Sequence, residues 1–412
     1  MPSEFTNQKE TALFQPEHVR RQFPIFEREV AWLDNAATTQ RPERVLRAMD
    51  EFNRRHNANT RRSVHRLGAE ATAAYEGARE VVARFIGGES PAEVIFTPGT
   101  TVGINIVANS LAHGGIGPGD EVWISAQEHH GNWVPWLKAT QTLGAHLRII
   151  PLLPDGHLDL ARFQEGLAGG RVRWVALTWV SNVLGFENEV RAFCAAAHGA
   201  GARVLVDAAQ AAAHVPMDVR ALGCDFLAFS GHKMYGPMGI GVLWGRAELL
   251  AQMEPFILGG EMIGRVEEQA ATWAEPPYRF EGGTPNVMGA VGLGEAMGWL
   301  ENLPAGAHEH VSALAREAAQ TLAELPGVRI LGPAMERVSL VSFCVDGVHA
   351  HDVAQVLDGR GIAVRAGHMC AQPLLRRLGV ESAVRASFAP YNTMDEVNAL
   401  VEGVRAAQEL FA

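Results

Sequence analysis

Val172-Arg-Trp-Val-Ala-Leu177, Arg203-Val-Leu-Val-Asp207 and Phe226-Leu-Ala-Phe229 are three short, strongly apolar runs, and their setting decides the fold. Runs of this length bounded by turn residues read as buried strands. Working outward, Val94-Ile-Phe96 and Glu121-Val-Trp-Ile-Ser125 repeat the pattern, and helical stretches such as Glu70 to Ile86 fall between the runs. This alternation, from about residue 70 to 295, predicts an α/β fold with a mixed, mostly parallel sheet flanked by helices. Upstream, Val30-Ala-Trp-Leu-Asp34 reads as a short strand where the ordered core begins. Downstream, Gly289 to Leu325 predicts a long helical connector broken at Pro304-Ala-Gly306. Val328 to Leu331, Ser339 to Val345, Ile362 to Arg365 and Val384 to Phe388 then read as strands, with helices near His351 to Leu357 and Met394 to Leu410. The expected division is an N-terminal segment (1–30) packing with the small domain, a large domain (31–295) and a smaller α+β C-terminal domain (296–412).

The chain has 412 residues, 47% hydrophobic and 20% charged, the make-up of a packed globular protein rather than a disordered one. Its formal net charge of −11 offers no general positive field to nucleic acid or an anionic membrane surface. No apolar run reaches the roughly 18 residues of a membrane span, and the opening Met-Pro-Ser-Glu-Phe is too polar for a secretory signal, so the expected location is cytoplasmic. Cys194, Cys224, Cys344 and Cys370 are far apart and form no CxxC pair, which argues against a zinc ribbon or a disulfide framework.

Chemistry enters at Asp225-Phe-Leu-Ala-Phe-Ser-Gly-His-Lys-Met-Tyr-Gly-Pro237, a strand followed by a turn carrying Ser230, His232 and Lys233. A lone loop lysine is ordinarily solvated. Buried at the mouth of a sheet, its ammonium loses hydration and the neutral amine becomes available for Schiff-base chemistry. Asp207 ends an apolar strand, where a carboxylate needs a cation; a pyridinium nitrogen is one, and a helix N-cap is the plainer alternative. Gly99-Thr-Thr-Val-Gly103 follows a strand and opens a predicted helix, a turn whose amides and Thr100 and Thr101 hydroxyls suit a phosphate. His129-His130 could suggest metal, but adjacent residues in extended chain point apart and no ligand spacing completes a site.

Six segments carry a resemblance: Trp32-Leu-Asp-Asn-Ala-Ala-Thr-Thr39, Glu128-His-His-Gly-Asn132, Val180-Ser-Asn-Val-Leu-Gly185, Val204-Leu-Val-Asp-Ala-Ala-Gln210, Phe229-Ser-Gly-His-Lys-Met-Tyr-Gly-Pro237 and Arg365-Ala-Gly-His-Met-Cys370. In this order they resemble cysteine desulfurases of the SUF type, in the class V aminotransferase branch of the pyridoxal 5'-phosphate (PLP) enzymes. The resemblance implies fold type I of the PLP-dependent transferases and a homodimer. It implies that Lys233 carries PLP, Asp207 holds the ring nitrogen, Gln210 the phenolic oxygen, and Thr100, Thr101, Ser230 and His232 the phosphate, with Thr284 reaching it from the neighbouring subunit. It also assigns ring stacking and proton exchange to His130, a place near the ring and the substrate carboxylate to Asn182, carboxylate binding to Arg385, and persulfide formation to Cys370. Gly259-Gly-Glu-Met-Ile263 resembles the hairpin that shields a partner subunit's entrance in the SUF subgroup. Met369, Pro98 and Trp179 depart from the family pattern, as does Thr60-Arg-Arg-Ser-Val-His65.

The expected reaction converts L-cysteine to L-alanine and leaves a persulfide on Cys370, which passes to a SufE- or SufU-like acceptor and on to iron-sulfur cluster assembly on a scaffold. Arg376 and Arg377 beside the Cys370 loop suit a thiolate, the form that attacks sulfur. A selenocysteine lyase, a kynureninase-like enzyme or an epimerase would use Lys233 and Asp207 without needing Cys370. A non-catalytic scaffold or an NAD-type oxidoreductase could share the layered sheet, but no GxGxxG follows a first strand. Purified protein is expected to be yellow, and borohydride should bleach it while fixing the label on Lys233; a colourless, unlabelled preparation rules out the PLP reading.

Overall fold

The computed structural model describes residues 14–61, 63–110 and 115–412. The expectation drawn from the first residues of the chain lies outside them. After β1 (Ala31–Trp32), seven strands form the central sheet: β2 (Val94–Thr97), β3 (Glu121–Ser125), β4 (His146–Ile150), β5 (Val172–Thr178), β6 (Arg203–Asp207), β7 (Phe226–Ser230) and β8 (Gly241–Gly245). Their order is β2-β8-β7-β6-β5-β3-β4, with β8 antiparallel to both neighbours and the run from β7 to β4 parallel.

Side chains alternate across a strand, and the two faces of this sheet feed separate cores. Val175, Leu177, Val204, Val206, Leu227 and Phe229 enter one apolar cluster; Trp174, Ala176, Leu205, Phe226 and Ala228 enter another. Helices Arg66–Phe85, Val190–Gly199 and Val287–Glu301 supply the first cluster, and Thr100–Ser110 and His130–Leu143 the second. Burial on both faces is why these strands read as continuous apolar runs.

A hairpin, β9 (Ile263–Val266) and β10 (Ala271–Trp273), projects after the central sheet. The smaller lobe contains β11 (Val328–Leu331), β12 (Leu340–Val345), β13 (Ile362–Ala363), β14 (Arg365–Gly367) and β15 (Ala383–Ser387). Four of these make an antiparallel sheet in the order β11-β12-β15-β14, while β13 pairs with β1 in parallel. The run Ile362 to Arg365, read as one strand, is thus split between two sheets. The helical connector is also two helices, Val287–Glu301 and Ala307–Ala323, separated where Pro304 and the left-handed Gly306 (φ 86°) interrupt it. The expected domain boundary at 295/296 falls inside the first of these helices, which packs on Glu43–Arg55 and Arg66–Phe85 of the large lobe.

The N-terminal segment touches both lobes. Arg20 pairs with Glu396 of the C-terminal helix at 2.9 Å, and Phe23 packs on Tyr391, Trp299 and Tyr235. A buried ion-pair network joins β2 to the loop after Phe280. Both Arg79 Nη groups donate to Glu281 (2.6 and 3.0 Å), and Tyr75 Oη and the Phe96 amide donate to the same carboxylate. Removing one member of a buried pair strands the other, so Arg79→Ala should cost about 3 to 5 kcal/mol, read from denaturant unfolding; a loss within error of a surface control would contradict it.

Candidate active site

The functional side chains come from the carboxyl ends of the parallel strands, where open α/β sheets bind ligands. β3 leads to His129, β5 to Asn182, β6 ends at Asp207, and β7 leads to Lys233. Together with the small lobe they wall a cavity of about 330 Å³ lined by Thr100, Thr101, His129, Asn182, Asp207, Gln210, Ser230, His232, Lys233, Arg365, Met369, Cys370 and Arg385, among others. Segments far apart in sequence, including the lysine turn and the cysteine loop, therefore meet at one place.

Lys233 closes a short 3-10 turn, Gly231–Lys233, held against the Asp34–Thr39 loop: the Thr39 amide and the Thr38 hydroxyl both donate to the His232 carbonyl, at 2.9 and 3.0 Å. Burial lowers the Lys233 ammonium below its ordinary value, opposed by the attraction of Asp207 and aided by Arg385. Burial likewise raises Asp207, while the Ala209 amide, donating to Oδ1 at 2.9 Å, and Lys233 pull it down. Gln210 Nε2 donates to the Ala36 carbonyl at 2.8 Å, which aims its amide along the cavity wall.

At the other end, the helix Thr100–Ser110 begins beside Ser230. The Thr100 amide donates to Ser230 Oγ at 2.9 Å, and the two hydroxyls lie 2.6 Å apart. Close approach is required here: a Cβ on Gly241 would stand 2.6 Å from Gly99 Cα and from the Phe229 carbonyl oxygen. His232 Nδ1 is buried without a hydrogen-bond partner among the described residues. A hydroxyl pair, a helix start and an orphaned imidazole nitrogen converge as an anion cradle.

The expectation that His130 faces the site is corrected. His130 is the first residue of helix His130–Leu143, whereas its neighbour His129 is the extended N-cap and lines the cavity. His129 Nδ1 accepts the Gly131 amide at 2.9 Å, so its proton sits on Nε2. Burial, with Lys233, His130 and Arg385 nearby, pushes it down to about 3, leaving it neutral.

Behind His129 lies Glu128, which the sequence reading did not single out. Its buried carboxylate accepts from Ser125 Oγ, from Asn132 Nδ2 at 2.7 Å and from the Thr178 amide at 2.7 Å. Burial, with the Asp207 charge adding to it, pushes this carboxyl up to about 8.

The small lobe supplies Arg385, 3% exposed on β15 directly opposite Arg365 of β14. Two facing arginines need a counter-charge, and Asp34 provides it, 2.6 Å from Arg365 and 3.7 Å from Arg385. Arg365 and Asp34 were missed as site residues, since only the strand register brings them together. Burial lowers Arg385 to about 10, still charged at neutral pH, and its buried Nε has no hydrogen-bond partner among the described residues. Asn182 ties the lobes, donating from Nδ2 to the Met369 carbonyl at 2.8 Å and accepting Arg385 Nη1 on its own carbonyl at 2.9 Å. Cys370 is exposed, while Cys194 and Cys224 are buried and Cys344 partly so. Thr284 is exposed and does not line this cavity. Among the described residues no group of three or more His, Cys, Asp or Glu side chains is placed to hold a metal ion, and no helix is long and apolar enough to cross a membrane.

Comparison with known proteins identifies the family. Residues 31–400 match the aminotransferase class-V family. A cysteine desulfurase of Klebsiella pneumoniae is 48% identical over 404 residues, covering 96% of this chain and 99% of that protein. Among solved structures, the cysteine desulfurase CsdA of Escherichia coli superposes with a TM-score of 0.91 at 42% identity, covering 97% of this chain and 100% of the other. The apo cysteine desulfurase of Thermococcus onnurineus gives 0.90 at 40% identity, covering 96% and 98%.

Glu128 generates a pH prediction. Its folded-state value lies above the 4.5 of a free carboxyl, so between about pH 4.5 and 8 the native state keeps a proton that the unfolded chain has released, and stability falls as pH rises. Glu128→Gln should flatten that fall in urea midpoints measured across this window; parallel curves for variant and wild type would refute the assignment.

Proposed function

The chain belongs to the aminotransferase class-V family, and from that membership we infer that it is a cysteine desulfurase. The observation that carries the reading is a half-buried lysine, a buried aspartate and a solvent-facing cysteine on one cavity. PLP fits the residues present. Thr100, Thr101, Ser230 and the orphaned His232 Nδ1 would hold its phosphate, Asp207 its ring nitrogen, Gln210 its phenolic oxygen, and His129 would cover the ring. When bound, the cofactor draws electrons from the substrate's Cα and so makes the Cα proton removable.

Lys233 would hold the cofactor, and its amine, favoured by burial, is placed to take that proton. Asp207 would keep the ring nitrogen protonated. Arg385, with its unused Nε and its neighbour Arg365, grips the substrate carboxylate and orients the thiol toward Cys370. The Cys370 sulfur attacks the substrate sulfur; an S–S bond forms, the substrate's Cβ–S bond breaks, and the carbon skeleton keeps the electron pair. Neutral His129, with its proton on Nε2, is placed to return a proton to that carbon. L-Cysteine and one protein thiol give L-alanine and one protein persulfide, with no oxidant required.

An exposed Cys370 suits transfer to a second protein, here a SufE- or SufU-like acceptor feeding iron-sulfur assembly. A homodimer belongs to the same reading. Phe256, Leu258 and Val266 are exposed apolar side chains around the hairpin, and the neighbouring Gly283 amide donates to the Gly260 carbonyl. Thr284, exposed next to Gly283, would reach the phosphate in the neighbouring subunit. Four unpaired cysteines suit a reducing cytoplasm.

Incubation with L-cysteine followed by intact-mass and peptide analysis should add one sulfur atom on Cys370 while alanine appears in solution. Cys370→Ala should abolish that adduct and slow alanine release roughly a hundredfold or more. A variant that releases alanine at the wild-type rate would instead favour a selenocysteine-lyase-type enzyme of the same family, which cleaves the Cβ–chalcogen bond without needing Cys370.

A further inference from the structure

His130 leaves the cavity wall to its neighbour, yet it touches the cysteine loop twice. Its backbone amide donates to the Cys370 carbonyl at 2.7 Å, and its imidazole Nε2 accepts the Gln372 amide at 3.2 Å. We propose that His130 is the positioning residue for the nucleophilic sulfur, its imidazole clamping the chain just after Cys370 so that the loop stays in its working conformation. The proposal deepens the desulfurase reading, since it rests on Cys370 being the attacking group.

The loop needs holding. Met369 and Cys370 both adopt left-handed backbone, with φ of 45° and 53°, and consecutive non-glycine residues stay there only when their surroundings enforce it. On one side the enforcement comes from the Met369 side chain, buried with Val183, Leu184, Leu374 and Leu375, and from Asn182 on the Met369 carbonyl. On the other side stands Gln372, the first residue of helix Gln372–Arg377, whose amide has no acceptor within its own helix. The His130 imidazole takes that amide from a different element and ties the loop to helix His130–Leu143, which starts at the cavity. Because the Gln372 amide donates, Nε2 carries no proton. Desolvation and the neighbouring His368 ring, 6.4 Å away, hold the imidazole below its ordinary value and so keep it an acceptor.

The bond from the His130 amide survives any substitution of the side chain, so the imidazole's share can be isolated. Gln places an amide oxygen at about the reach of Nε2 and accepts the same hydrogen; Ala and Asn do not reach it. With the cofactor-loaded protein, hydrogen exchange in peptides spanning residues 368–378 should run roughly tenfold faster in His130→Ala, the scale of one lost hydrogen bond, and near the wild-type rate in His130→Gln. Alanine release from L-cysteine should lose kcat in the Ala variant, keep its KM and cofactor absorbance, and recover in the Gln variant. Unchanged exchange in His130→Ala overturns the clamp, and so does loss of cofactor absorbance, which would put this side chain on the ring. Should the Ala variant fail to fold, His130→Asn against His130→Gln makes the same comparison. Wild-type protein that forms no persulfide sinks the desulfurase reading alone, because the exchange rates still judge the clamp.

Discussion

A buried carboxylate and a half-buried ammonium on one cavity, Asp207 and Lys233, form the constraint around which the rest is arranged. Burial raises the first and lowers the second, so each charge is costly where it stands and each tempers the other's cost. A fold carries such groups when a ligand resolves them, and the wall here offers what one ring with a phosphate tail requires. Neighbouring parallel strands β6 and β7 carry them, Asp207 at the end of β6 opposite Ala228 and Lys233 in the turn after β7, and the Thr38 and Thr39 clasp keeps the lysine turn from relaxing toward solvent.

In the proposed reaction the two nucleophiles, Lys233 and Cys370, have different tasks, and they occupy opposite surroundings. An amine that must lose its proton gains from a dry pocket, whereas a sulfur that must hand its cargo to another macromolecule has to face water. The exposed Cys370 therefore sits on the small lobe, at the rim, on backbone that its neighbours on both sides hold in place. Asn182 spans the gap, with one bond to the cysteine loop and another to Arg385, so Arg385 and the Cys370 loop share a support.

Much of this was legible in the chain. The apolar runs that became β5, β6 and β7 stand out because both faces are buried, and Asp207 and Lys233 follow from where those runs end. Other elements left weaker signals. β4, His146–Ile150, is a half-exposed edge strand with alternating polar residues, and β8 is bracketed by glycines, which hides it among turns. The choice between His129 and His130 turned on which residue is the cap and which begins the helix, a one-residue matter that composition cannot resolve. Glu128 and Asp34 look like ordinary acids in sequence, because burial depth and partners 50 or 331 residues away appear only in three dimensions.

The pairing of β1 with β13 has a bearing on how the molecule comes into being. Asp34, just past β1, balances both arginines, yet Ile362, Arg365 and Arg385 are made last. During synthesis on the ribosome the large lobe can collapse early, but its first strand must wait, unzipped, for nearly the entire remaining polypeptide to emerge. Assembly of the Asp34–Arg365–Arg385 cluster is therefore a late act of biogenesis, and a nascent chain stalled before that point would carry a formed sheet without this wall of the cavity.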